Sequence, residues 1–256
     1  MQKQKSGLSY FLVLFLFVAC QNNPEESHNA QKIVDKAIEK SGTQAFANAK
    51  VRFDFRDKSY KSIGQCGQMT LERISNDSSA TIRDVLSPTG FRRLKNGATQ
   101  QIPDTMAAKY SASVNSVHYF VQLPWRLNDE AVNKKYLGEE NINNKKYHLL
   151  QVTFDQEGGG EDFEDIYLYW IQTDSFTVDY LAYSFETNGG GMRFREAFNP
   201  RYTEGIRFVD YNNYKPLTKD VALLELAQKF DSDELKLLSE IITENVKVEL
   251  LDSECP

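Results

Sequence analysis

Three histidines are all that these 256 residues offer for imidazole chemistry. His28 falls in a polar stretch near the N-terminus and His148 opens a strand-like run, which leaves His118 as the candidate general base. It would need an orienting carboxylate, and Asp129, Asp162 and Asp179 are the acids a hydrolase could recruit. The same position equally suits a structural, hydrogen-bonded histidine. A three-histidine metal site lacks material, and HExxH, GxSxG, GxxxxGK[ST] and GxGxxG are all missing. The densest acidic run, Asp155 to Asp165, matches the spacing of neither an EF-hand nor a glycine-rich repeat loop. It reads as a solvated hairpin loop, so no metal and no cofactor are expected. Asp179 lies in a strongly apolar run. If it faces inward it must be paired, and Arg193 or Arg195 on the next strand is the natural partner. That pairing is either an ordinary cross-strand bridge or, with His118, the polar anchor for a ligand head group.

One cysteine carries a different chemistry. Lys3 and Lys5 precede an apolar run from Leu8 to Ala19 that is too short to span a bilayer, and the run ends at Cys20. Residues 1–19 therefore read as a cleaved export signal, and Phe17-Val18-Ala19-Cys20 resembles the bacterial box whose cysteine receives lipid. Cys20 is the expected lipidation site, and residues 20–28, with Pro24, are the expected flexible tether. Cys66 and Cys255 remain as a possible disulfide in an oxidising compartment. The formal net charge is −6 and becomes more negative once the leader is removed. An acidic chain is a poor partner for nucleic acid. Membrane association would have to come from the acyl chains.

The elements that must position these residues follow from periodicity. Ala30, Ile33, Val34, Ala37 and Ile38 recur at helical spacing, with Asn29 as a plausible cap and Gly42 as the stop. The period then drops to two. Strands are expected at Val51–Phe55 and Met69–Leu71, with shorter ones near 80–85, 91–94 and 100–102. A helix over 111–123, with Val114, Val117 and Val121 on one side, interrupts the meander. A second strand series runs from Tyr136 to Tyr214. A short helix around 221–230 and a mostly extended tail over 235–251 complete the pattern.

The aromatics Phe120, Trp125, Tyr169, Trp170, Tyr180, Tyr183 and Phe194 would give wide aromatic faces on adjacent strands. Such faces form either a filled core or the lining of an apolar cavity.

Several segments are similar to a known group. They include Phe53-Asp54-Phe55-Arg56-Asp57, Ser113 to Phe120, Leu123-Pro124, Leu127 to Val132 and Tyr136-Leu137-Gly138. Tyr169-Trp170-Ile171, Asp179 to Tyr183, Arg193-Phe194-Arg195 and Asp210-Tyr211 complete the set. Together they resemble a family of uncharacterised bacterial lipoproteins over residues 30 to 250. Its order of elements is similar to the outer-membrane lipoprotein-sorting (LolA/LolB-like) superfamily. The resemblance implies an α+β fold over residues 29–256: a large curved antiparallel sheet, or half-barrel, with an N-terminal helix and short helices on the concave face. It also implies a non-catalytic, lipid-anchored outer-membrane protein, periplasmic or surface-exposed, that binds a lipid or another hydrophobic small molecule. A groove between the sheet and the 111–123 helix is then expected. The alternatives are an interaction module whose aromatic face meets an envelope protein, and the hydrolase built on His118.

Overall fold

At Gly42 the first helix ends, and the chain passes through a 3-10 helix at Thr43–Asn48 into the strands. The computed structural model describes residues 24–252 apart from 78, 161–162, 187–188 and 219. Helix α1 (Pro24–Ser41) buries Ala30, Val34 and Ala37 completely. It starts at Pro24, so the expected cap at Asn29 lies inside the helix and the supposed tether is helical from Pro24 onward. Proline suits the first turn, where its missing N–H has no intrahelical partner to lose. Gly42 stops the helix with φ 66°. A β-carbon there would stand 2.1 Å from the Gly205 carbonyl oxygen, so both the dihedral and the packing require glycine.

Six strands follow: β1 (Ala49–Phe55), β2 (Lys58–Gln65), β3 (Gln68–Asn76), β4 (Thr81–Ser87), β5 (Gly90–Lys95) and β6 (Ala98–Gln100). Helix α2 (Asp104–Val121) leads through a 3-10 turn at Trp125–Asn128 into β7 (Val132–Ile142) and β8 (Lys145–Phe154). Then come β9 (Ile166–Gln172), β10 (Val178–Phe185), β11 (Gly191–Thr203) and β12 (Ile206–Pro216). Helix α3 (Leu226–Asp231), β13 (Leu235–Ile241) and β14 (Glu244–Leu250) end the fold. The expected curved antiparallel surface is present as two seven-stranded sheets that do not close into a barrel. The first runs β14-β1-β2-β3-β4-β5-β6 and the second β13-β12-β11-β10-β9-β8-β7.

Two connections relate the sheets. At one side the chain passes from β13 to β14 through Ile242 and Thr243. Buried Asp210 of β12 fixes that corner, accepting from the Thr243 backbone N–H at 3.0 Å and from Arg201 Nη2 at 3.1 Å. Arg201 also donates to the Thr243 hydroxyl at 2.6 Å, and Asn199 donates to Asp210 at 2.7 Å. At the other side, α2 carries the chain from β6 to β7.

Strand β2 was not evident from sequence, because its inward positions are Tyr60, Ser62 and Gly64 and only the first is strongly apolar. Gly64 is small for a reason: a β-carbon there would meet the Phe46 carbonyl oxygen at 1.9 Å. Helix α2 begins well before residue 111, in a stretch too rich in small and polar residues to show an apolar stripe. The second sheet is covered on both faces. Tyr169, Ile171 and Leu181 pack with α1 and α2, whereas Trp170, Tyr180 and Phe194 pack with Leu226, Ala227 and Phe230. Helix α3 therefore lies on the face away from α2, so not every short helix covers the concave side.

Candidate ligand cavity

Helix α2 crosses the concave side with one flank that is deliberately thin. Ala108, Ser111, Ala112, Asn115 and Ser116 line a half-open cavity of about 480 Å³. Val132, Phe154 and Tyr167 of the second sheet form the opposite wall, and Gly158, Gly159 and Gly160 of the β8–β9 loop border it. Small side chains on the helix leave room where larger ones would fill the interior. On the other flank of α2, a second cavity of about 110 Å³ is lined by Phe55, Val117, Phe120, Val121, Val209, Tyr211, Ile241 and three polar residues, Ser116, Arg195 and Thr243. Ser116 borders both spaces; in place of one continuous apolar groove the structure has two compartments, each with at least one charged residue in its lining.

An aromatic stack stands between them. Tyr167 stacks on Tyr183 with ring centroids 5.1 Å apart, and Phe120 lies 5.9 Å from Tyr183 and 6.5 Å from Tyr167. Deeper in, the Tyr119 and Tyr169 hydroxyls share a hydrogen bond of 2.8 Å. Burial pushes the phenols of Tyr119, Tyr167, Tyr169 and Tyr211 upward, so this wall stays uncharged.

The arginines of the two compartments differ. Arg126 borders the large cavity and pairs with Asp129. Arg195 lines the small cavity at 8% exposure, with its guanidinium carbon 3.7 Å from the Phe120 ring centre and 5.3 Å from that of Tyr183. Its Nη2 donates to the Tyr183 hydroxyl at 3.0 Å. Its Nε has no hydrogen-bond partner, and no carboxylate pairs with it among the described residues.

Of the residues singled out from sequence, the fold brings Phe120, Tyr169, Tyr183 and Arg195 to the concave side. Trp125 sits beside them against Phe46, with ring centroids 6.1 Å apart. Trp170, Tyr180 and Phe194 face the opposite way. Trp170 donates to Glu140 at 2.7 Å, and Phe194 lies 4.9 Å from the Phe230 ring. These aromatics form covered cores, not an exposed aromatic face. Arg193 reaches out to the Met192 carbonyl and over the Phe185 ring.

Asp179 pairs with neither Arg193 nor Arg195. A register break between Val178 and Tyr180 displaces it from the strand alternation, and its partners are Arg207 of β12 and the Tyr147 hydroxyl, each at 3.5 Å. His118 is not at the cavity surface either. It is fully buried between Phe53 and Tyr60, and its Nε2–H donates to the Glu72 carbonyl at 3.0 Å. Burial pushes its pKa down to about 4, so the ring is neutral. It makes no hydrogen bond to Asp129 or Asp179, and Asp162 lies outside the described residues.

Among the described residues no three metal-ligating side chains gather. Asp155 accepts from Asn133 at 2.7 Å. Cys66 is held in a disulfide. Cys255, its expected partner, and Cys20, the expected lipidation site, both lie outside the described residues. Sequence reading missed the cavity's small-residue wall. Its signal was present as Ala108, Ala112 and Ser116, four residues apart on one helix flank.

The chain belongs to a family of unknown function (DUF6503), whose model matches residues 7–244. No curated protein matches it. Among solved structures, it is similar to a Vibrio parahaemolyticus domain assigned to outer membrane lipoprotein sorting. Identity there is 9%, with 86% of this chain and 94% of that one covered and a TM-score of 0.47. A LolA superfamily protein from Nitrosomonas europaea is 12% identical over 89% of this chain and 94% of its own, with a TM-score of 0.43. A DUF1329 family protein from Desulfovibrio piger is 11% identical over 85% and 92%, with a TM-score of 0.41. At such identities nothing about ligand or activity passes from these proteins to this chain.

Proposed function

We propose that this chain is a lipid-anchored envelope protein that holds a hydrophobic ligand, a lipid or acyl chain, between α2 and the second sheet without transforming it. The observation that carries this reading is the cavity of about 480 Å³ beside Ala108 and Ala112. Its size falls within the roughly 300–1,000 Å³ of pockets that hold small molecules. Its walls join aromatic rings to small helix residues, and the phenols facing it are uncharged. Cys20 supplies the anchor, and Gln21 after it is compatible with placement at the outer membrane.

Filling the cavity tests the reading. Ala112→Phe places a ring in the open space while leaving the buried side of α2, with Val114 and His118, untouched. Native mass spectrometry of gently extracted wild-type protein is expected to show bound lipid. The variant, with an unchanged circular dichroism spectrum, is expected to lose it. A wild type that stays empty after incubation with lipid vesicles contradicts the proposal.

A further inference from the structure

The small compartment holds a charge that the fold does not neutralise. A guanidinium taken out of water is costly unless a countercharge or a full set of acceptors replaces the solvent. Among the described residues Arg195 has one acceptor, the Tyr183 hydroxyl, for five N–H groups, and its Nε is orphaned at 8% exposure. The carboxylates of this region are engaged elsewhere. Asp179 pairs with Arg207, Asp210 with Arg201 and Thr243, and Asp129 with Arg126. The Phe120 ring covers one face of the guanidinium, and the Tyr183 hydroxyl takes one of its in-plane donors. Its remaining in-plane donors, Nε–H first, are left for an acceptor that no described residue supplies.

Resting on the reading of the large cavity as an acyl site, we propose that the ligand is a long-chain carboxylic acid whose carboxylate is held by Arg195 in the small compartment. Three observations favour this class. The site carries one unpaired positive charge, which matches a monoanion. Its volume of about 110 Å³ takes a carboxylate with a water or two, given about 30 Å³ per water. The guanidinium fork fits two carboxylate oxygens at once. Ser116 borders both compartments, so a chain leaving the carboxylate would run past Ser116, at the edge of the aromatic stack, to reach the larger space.

The test uses the full lipidated chain, extracted in non-ionic detergent and offered an equimolar mixture of palmitate and hexadecanol. Native mass spectrometry reads the ratio of the two adducts. Hydrogen bonds to a charged partner favour palmitate by about tenfold or more. Arg195→Met is expected to abolish that preference while still binding hexadecanol, and Arg195→Lys to retain part of it. Equal occupancy in the wild type overturns the carboxylate assignment alone, and this comparison needs no variant to fold. A preference that survives Arg195→Met overturns it too, as does hexadecyl phosphate displacing palmitate. Failure to bind either compound overturns the acyl site itself, and the carboxylate with it.

Discussion

His118 shows how a residue with catalytic potential becomes a stability element. Desolvation is the main cause of its low pKa of about 4, the Arg126 charge adds to it, and the Glu72 carbonyl bond opposes it. An unfolded chain would hold this imidazole near its ordinary value of about 6.5. As pH falls below that value the unfolded state takes up the proton and the folded state does not. Stability present at neutral pH is therefore lost between about pH 6.5 and 4, by about 3 kcal/mol in all. His118→Gln keeps a donor for Glu72 and removes the titration. Its urea midpoint is expected to fall less than that of the wild type between pH 7 and pH 4.5. His148, also lowered mainly by burial, leaves a residual slope of the same sign. A variant whose midpoint falls as steeply as the wild type's would assign the dependence to other groups. At this scale the sequence showed which residues had chemistry but not where they went. Sequence singled out Arg193 and Arg195 alike and could not tell which would line a cavity, and the bulge at Asp179 is a local register break that no periodicity reports.

Among the elements, legibility followed the contrast between inward and outward side chains. Strands such as β1, with Ala49, Val51 and Phe53 buried between polar neighbours, could be read directly. Strand β2 and the first turns of α2 could not, because their inward residues are small. One wall of the large cavity is made of the small residues of α2, so that wall left a weak hydrophobic signal. The corner between β13 and β14 is polar and was equally silent. Asp210 is 1% exposed there and binds Arg201, Asn199 and Thr243 together. Asp210→Ala would strand a guanidinium and a backbone N–H, at a cost of about 3 kcal/mol or more. The lowered midpoint in urea is expected without loss of the overall β-rich circular dichroism spectrum. A variant within about 0.5 kcal/mol of the wild type would show that the corner is held by other contacts.

At the scale of the whole molecule, α2 spans one opening of the folded sheet pair while α1 closes the adjoining face. No described helix is long and apolar enough to cross a membrane. On the function proposed above, placement at a bilayer would depend on Cys20. Radiolabelled palmitate is expected to enter the wild-type chain during growth, and the protein to sediment with membranes. Cys20→Ala is expected to abolish labelling and release the protein to the soluble fraction. A variant that still sediments at high salt would require a second attachment.

The strand order has a consequence for how this protein is made. Ala49 pairs with Leu250 and Val51 with Val248, so the earliest strand to leave the ribosome borders the last one. Until the final residues emerge, β1 has a naked outer edge, and such edges recruit other chains. Long-range closure of this kind also slows folding. A nascent chain that cannot finish its first sheet remains threadable for longer, which would suit the export that the proposed function requires.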